Sequence, residues 1–558
     1  MIGIRESRIR LPQLSPDAAR HERRFVLAAF LAILLLQLEQ VFNRPVNWDE
    51  FYHLSQVHAQ AQGRLSEVLQ VLHVRLLGWL ALLPLGEIDQ VRIARLAMFG
   101  CELFTLLAIH GLARRLVQER AARLAPLLYL GAGFVFQHGM AFRADPLVTA
   151  LLMGALWWLA AGALRGRDCA GIAVLLALAG LATVKAVLFA PAFAAIAWWR
   201  LTQQADPKAF ALRLAATVLL SGALLAVLVL ITQQFVPPAP AVSAAATVQA
   251  SQSMLLAEGL LPRWQFLLMA AATAPMLVLA GAAMVPGLWR TAVPGTLRIV
   301  CIGLILPLAS VLFYRNAFPY FYAFILAPVV VGLVPGIAWL ARSGGVRAMA
   351  AGSLLGCVLL SAITPRAVLG EQGAVLREVH RIFPQPVAYF DFAGMVAAFP
   401  KANVFMSSWG QTRYRSGEFA SYADTVQQRD VPLLLANHDV LARNQSPGGP
   451  AWELLPHDAV LLRTSYVQHW GPIWLAGRRF ASGAPEQDFT LPAGGTYTLS
   501  GTAALIDGQR IEPGSTVALA RGRHRFAPLG PGETVLRWGK DLPRPSGPAP
   551  AGVPFRGF

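Results

Sequence analysis

Long apolar runs separated by short, basic connections dominate the first two-thirds of the sequence. A membrane-spanning helix needs about 20 apolar residues. Runs that approach this length lie at 25–42, 93–112, 124–142, 147–164, 169–184, 186–199, 214–232, 265–285, 299–313, 320–341 and 346–363. Hydropathy alone therefore predicts about eleven spans. Every second connection carries basic residues and few acids: Arg114/Arg115/Arg120/Arg123, Arg165/Arg167, Arg200/Lys208/Arg213, Arg290/Arg298 and Arg342/Arg347. If these connections face the cytoplasm, as cationic loops do, the N-terminal tail 1–24 is inside. The stretches 43–92, 142–146, the turn at Lys185, 233–264, 314–319 and everything after Ile363 are then outside.

The first outer loop, 43–92, has a pattern of its own. Asp49, His53, Gln56 and Gln60 fall on one helical face, and Phe51, Leu54 and Val57 on another. Leu65, Val68, Leu69, Leu72 and Leu76 repeat at helical spacing further on. Both stretches are expected as helices along the membrane surface, framing a site that takes a lipid substrate from the bilayer. The stretch 233–264, rich in Pro, Ala, Ser and Gln, reads as a mobile loop or lid. Residues 25–363 thus form a transmembrane domain, and 364–542 an extracytoplasmic soluble domain. The latter is expected to be α/β to about 480 and β-rich from about 488, with turns at Ile506-Asp507-Gly508 and Glu512-Pro513-Gly514. The Pro/Gly-rich tail 543–558 is expected to be disordered.

Composition agrees with a chain whose main solvent is lipid. Of 558 residues, 56% are hydrophobic and 14% charged, against about 25% charged in soluble proteins; mean hydropathy is +0.51. The net charge of +17 does not imply a nucleic-acid partner, because the Arg residues stand in small groups between apolar segments. Cys101, Cys169, Cys301 and Cys357 sit in or beside apolar runs without metal-ligand or redox spacing. Arg23 and Arg24 precede an apolar run, but no small-residue cleavage site follows. The first span is therefore expected to be an uncleaved anchor with its N-terminus in the cytoplasm.

Candidate chemistry collects at the outer ends of the spans. Asn47-Trp48-Asp49-Glu50 follows the first span; Arg143 and Asp145 end the third; Lys185 marks a tight turn; Arg315 ends the ninth; His73 and Arg75 lie in the first outer loop. Charges beside membrane segments are costly and tend to mark function. One acid among several cations suits transfer from a phosphate-linked donor. The cations stabilise phosphate charge as the glycosidic bond breaks, and the acid accepts the proton of an incoming hydroxyl. His53, one helical turn from Asp49, either orients it or binds metal. No third ligand stands at recognisable spacing, so a divalent metal is not indicated, and no cofactor is expected. Glu39 and Glu102, within spans, read as packing partners. Tyr466, His469, Trp470 and Trp474 read as domain core before a sugar platform.

The order and common sidedness of these motifs resemble the membrane-embedded GT-C glycosyltransferases, close to the protein O-mannosyltransferase and lipid A aminoarabinose transferase families. The resemblance covers roughly residues 25–340. It is carried by Asp49-Glu50, Arg143-Ala144-Asp145-Pro146, Ala182-Thr183-Val184-Lys185, and Arg315 with Tyr320. It implies an inverting displacement with Asp49 as base, Glu50 beside it, and Arg75 and Arg315 on the donor phosphate. His73 competes with Arg75 for that role, and Arg143 and Lys185 complete the phosphate set, with Asp145 and Tyr320 in support. The family's Thr-Lys-Gly turn stands here as Thr183-Val184-Lys185-Ala186. The donor implied is a polyprenyl-phosphate sugar, and the acceptor a lipid, glycan or protein hydroxyl. Two other classes remain in competition: a transporter or flippase of a lipid-linked glycan, and a membrane anchor for the outer domain. A transporter would place charges near the bilayer midplane, often within internal repeats, whereas here they map to span ends. A pure anchor leaves the outer cations unexplained.

Overall fold

The computed structural model describes residues 9, 15–65, 67–235, 259–290, 293–342, 344–446, 453–545, 547–550 and 553–555. Most of the expected lid, 236–258, lies outside them, as does much of the N-terminal tail. The chain forms two compact units. The first is Met1–Arg44, Gln62–Leu80 and Arg92–Thr364; the second is Pro45–Ala61, Ala81–Val91 and Pro365–Phe558.

The first unit is a polytopic helical bundle. All eleven apolar runs are helical, but they differ in length. Six helices among the described residues are long and apolar enough to cross a membrane: Pro16–Asn43, Glu87–Leu116, Ala144–Ala161, Val184–Leu201, Pro207–Gln234 and Gly295–Leu312. The number rises to nine if each of three bent pairs counts as one span. Two of those pairs, Trp264–Ala272 with Pro275–Arg290 and Pro319–Gly332 with Val334–Arg342, bend by 94° and 60°.

The remaining two expected spans fall short for physical reasons. Gly166–Ala182 is 17 residues long. The run 124–142 breaks into Leu124–Leu130 and Gly133–His138, because Ala132 is extended. The Gly133 N–H bonds to the Thr273 carbonyl at 3.0 Å instead of to its own helix. A Cβ on Gly133 would lie 2.4 Å from the Thr273 side chain, so this close crossing requires glycine.

Outward faces of the bundle are apolar: Leu212 and Leu219 are 73% and 75% exposed on Pro207–Gln234. Such a stripe is stable against lipid, not water. The start of the first helix and the connection after the second share one side, where Arg120 forks onto Glu22 at 2.7 and 2.8 Å.

The second outer-loop stretch is not the helix its periodicity predicts. Among its described residues, only Leu72–Leu76 is helical. Gln70 has φ +64°, a left-handed conformation that ends regular structure, and its N–H goes to the Leu181 carbonyl at 3.1 Å.

The second unit is α/β, then β-rich. β1 (Tyr389–Phe390) and β2 (Leu433–Leu435) pair in parallel, and β2 pairs antiparallel with β4 (Ile473–Phe480), which also takes β3 (Tyr466–Trp470). The sheet continues through β11 (Thr534–Trp538), β6 (Gly495–Gly501) and β9 (Thr516–Leu519). A second sheet has the order β5 (Gln487–Leu491), β10 (Gly522–Pro528), β7 (Ala504–Ile506) and β8 (Gln509–Ile511). Phe480 and Phe526 stack at 3.6 Å in the core between them. Tyr466 and His469 are buried, and their polar atoms bond the Val431 and Pro543 carbonyls. Both are interior residues of the second unit, whereas Trp470 and Trp474 are half-buried.

The expectation of a disordered tail fails at its described positions. Phe555 is 3% exposed, sets its ring 5.7 Å from Phe51, and donates its N–H to the Asn437 carbonyl. Other described tail residues are held as well: the Pro554 carbonyl accepts from Gln372 Nε2 at 3.2 Å, and the Pro543 carbonyl meets His469 Nε2 at 2.9 Å.

Candidate active site

In the first unit, one polar cluster forms where Ala144–Ala161 begins. Arg143 is extended and precedes the helix, and Asp145 lies in its first turn, where backbone N–H groups favour a negative charge. The Asp145 side chain is 4% exposed and forms salt bridges with Lys185 Nζ and, at 3.3 Å, with Arg143 Nε. Lys185 sits on the 3-10 turn Val184–Phe189, whose entry is capped by the Thr183 hydroxyl. That turn separates two apolar helices, as the sequence predicts.

Tyr320, on Pro319–Gly332, supplies an aromatic wall. The Arg143 guanidinium lies 3.4 Å from its ring centroid and the Lys185 ammonium 5.5 Å; Phe324 is 5.3 Å from the same ammonium. Four of the candidates, Arg143, Asp145, Lys185 and Tyr320, are thus brought together from three separate stretches. The carboxylate holds both cations in one place beside the aromatic wall.

His73 is fully buried and edge-on to Phe142 at 5.8 Å, next to this cluster. Arg75 is half-exposed, and its guanidinium donates to the Glu67 carbonyl at 2.9 Å. Arg315 is half-exposed in the turn before Pro319–Gly332. Arg263 was not among the expected residues. Its guanidinium lies 4.8 Å from the Phe318 ring, which stacks 6.0 Å from Tyr320. Arg263, Phe318, Tyr320 and Arg143 therefore form one ladder in which two stacked rings lie between two cations. The signal was a cation in Pro262-Arg263-Trp264 at an outer span end.

Asp49, Glu50 and His53 lie in the second unit, on Trp48–Ala61. This helix starts with a reciprocal cap. The Asn47 side-chain oxygen accepts from the Asp49 N–H at 3.0 Å, and the Glu50 carboxylate accepts from the Asn47 N–H at 3.0 Å. Asn47-x-x-Glu50 is therefore a reciprocal N-cap, with the Asn47 side chain on the N2 amide, a signal present in the sequence. Glu50 is 1% exposed, whereas Asp49 is half-exposed. The cap gives Glu50 a structural task, distinct from the catalytic one expected beside Asp49. Replacing Glu50 with Ala should lower thermal stability by about 1 kcal/mol, read as a shifted melting transition in detergent. An unchanged transition would deny the cap its weight.

The helix's apolar face, Phe51, Leu54 and Val57, is fully buried, and Phe51 packs against Phe555 of the same unit. It is covered by protein rather than lying on lipid as expected. His53 Nδ1 meets the Gln56 carboxamide at 3.2 Å. Among the described residues, no group of three or more His, Cys, Asp or Glu side chains is arranged to hold a metal.

No protein-family model matches the sequence, and no curated protein is significantly similar to it. Similarity to solved structures is clearer. The crystal structure of ArnT from Cupriavidus metallidurans bound to undecaprenyl phosphate aligns with TM-score 0.53 and 14% identity, over 74% of this chain and 93% of that one. The chain has the GT-C fold. Two more structures align more loosely, and the assignment does not rest on them. The Archaeoglobus fulgidus oligosaccharyltransferase gives 0.48 at 11% identity, over 91% of this chain and 77% of that one. Arabinosyltransferase EmbB from Mycobacterium smegmatis gives 0.39 at 13%, over 94% and 65%. With this fold and its apolar helices, the protein is a multi-pass membrane protein.

Proposed function

We propose that the protein is an inverting glycosyltransferase that moves a sugar from a polyprenyl-phosphate donor to an acceptor hydroxyl at the outer face of the cytoplasmic membrane. The observation that carries this reading is the buried cluster of Arg143, Asp145, Lys185 and Tyr320, set in the fold of a protein solved with undecaprenyl phosphate. The alternating Arg clusters support an inside N-terminus, with residues 364–542 as an outer domain.

In the proposed step, the acceptor oxygen attacks the anomeric carbon from the face opposite the phosphate. The carbon–oxygen bond to phosphate breaks, its electron pair leaves on the phosphate oxygen, and the hydroxyl proton passes to Asp49. Phosphate is a good leaving group when its charge is met by cations, so no second catalytic acid is required. Arg143 and Lys185 supply that charge, joined by Arg75, Arg315 and Arg263 as donor-phosphate contacts.

Binding tests the donor class directly. Purified protein in nanodiscs should bind undecaprenyl phosphate saturably, and Arg75→Ala or Arg315→Ala should weaken it about tenfold or more, the scale of one charge-assisted contact. Lys replacements should restore only part, since an ammonium lacks the guanidinium's bidentate fork. Unchanged affinity in both Ala variants would remove these residues from the site, and no binding by the wild type would overturn the donor class.

A further inference from the structure

The helix that carries Asp49 is packed into the unit formed by residues some three hundred positions later. The helix and the residues leading into it are gripped at three points. The Gln372 carboxamide, 1% exposed, holds Val46 from both sides, accepting its N–H at 2.9 Å and donating to its carbonyl at 2.8 Å. Trp48 stands edge-on to Phe392 at 5.5 Å and to His438 at 5.6 Å. Gly394, at φ +89°, passes so close to the helix that a Cβ there would meet the Ser55 hydroxyl at 2.8 Å.

Phe392 and His438 form a platform. They stack at 3.7 Å and 11° just beyond the ends of β1 and β2, the parallel pair. Each ring is fixed by its own backbone region. The Phe392 N–H goes to the Asn437 side chain at 3.1 Å. Asn437 in turn donates to Asp391, which is fully buried and also accepts from Lys401 and from the N–H groups of Gly394 and Met395. His438 Nδ1 accepts from the Val440 N–H at 3.3 Å. A network of this density is stiff, because every displacement breaks a buried hydrogen bond.

We infer that Phe392 and His438 are positioning residues for the reaction: through Trp48 they fix the helix turn that presents Asp49. This rests on the reading of Asp49 as the base. It gives the C-terminal unit a catalytic task, that of holding the base-bearing turn in one orientation, since general-base catalysis fails when the base moves by about 1 Å.

The test combines hydrogen exchange with transfer in native membranes, on the full-length protein. In Trp48→Ala and in the milder Phe392→Leu, amides of residues 47–55 should exchange at least tenfold faster than in the wild type. Amides of β10 and β11 should be unchanged, which certifies that the unit is folded. Sugar transfer in membranes should fall about 10- to 100-fold in Trp48→Ala while undecaprenyl phosphate binding stays within twofold, and Trp48→Phe should restore most of the rate. Unchanged exchange at 47–55 in both variants, or donor binding lost in proportion to rate, would overturn the inference. Full activity of Asp49→Asn alongside faster exchange in Trp48→Ala would instead remove the base assignment and leave the platform's mechanical role standing.

Discussion

Asp49→Asn should abolish most sugar transfer without unfolding the protein or releasing the donor. The substitution keeps the size of the side chain, and the cap formed by Asn47 with the Asp49 N–H is a backbone interaction that Asn preserves. It removes the ability to accept a proton at neutral pH. General-base assistance is typically worth about 10²–10⁴ in rate, so turnover should fall by about that range, with undecaprenyl phosphate affinity little changed. Glu50→Gln should be much milder, because a carboxamide oxygen can still accept the Asn47 N–H. Near wild-type transfer by Asp49→Asn at normal expression would dismiss it as the base. A dead Glu50→Gln beside an active Asp49→Asn would move that role one residue along.

The second large effect concerns Asp145. Its carboxylate is shared between Lys185 and Arg143 in a nearly dry setting. Removing one member of a buried ion pair leaves an uncompensated charge and costs about 3–5 kcal/mol. Asp145→Leu should therefore lower the unfolding free energy by about that amount. Adding Lys185→Met should recover much of it, because a buried pair replaced by apolar residues is often neutral or better. The double variant should still bind undecaprenyl phosphate about tenfold or more weakly than the wild type, since a cation has gone with the pair. Equal stability of Asp145→Leu and wild type would contradict the description of the cluster, and full donor binding by the double variant would contradict its proposed role.

The sequence showed these residues one at a time. Hydropathy is a local property, so all eleven apolar runs were visible as helices, and Arg143, Asp145, Lys185 and Tyr320 stood out as polar groups at span ends. That Lys185 would reach Asp145, 40 positions earlier, depends on how the helices pack, which no local pattern encodes. The same holds for Asp49. The periodicity of Phe51, Leu54 and Val57 announced an amphipathic helix but could not say whether lipid or protein would cover it, and Phe555 now covers part of that face. The helix expected over Leu65–Leu76 forms only at Leu72–Leu76 among the described residues, for the opposite reason. Its leucine spacing was helical, yet the left-handed Gln70 and a hydrogen bond to Leu181 prevailed. Asn47-x-x-Glu50 and Pro262-Arg263-Trp264 are legible in the sequence, the first as a helix-start signature and the second as a cation at a span end.

The central claim is Asp49-dependent transfer of a sugar to an envelope acceptor. Its most direct test is mass spectrometry of the envelope glycolipids and glycans from a strain lacking the gene, complemented with wild type or with Asp49→Asn. The account predicts that one glycan or glycolipid species loses a fixed sugar mass in the deletion strain. Wild type should restore that mass, and an equally expressed Asp49→Asn should not. Identical profiles in the parent and the deletion strain, or full restoration by Asp49→Asn, would contradict it.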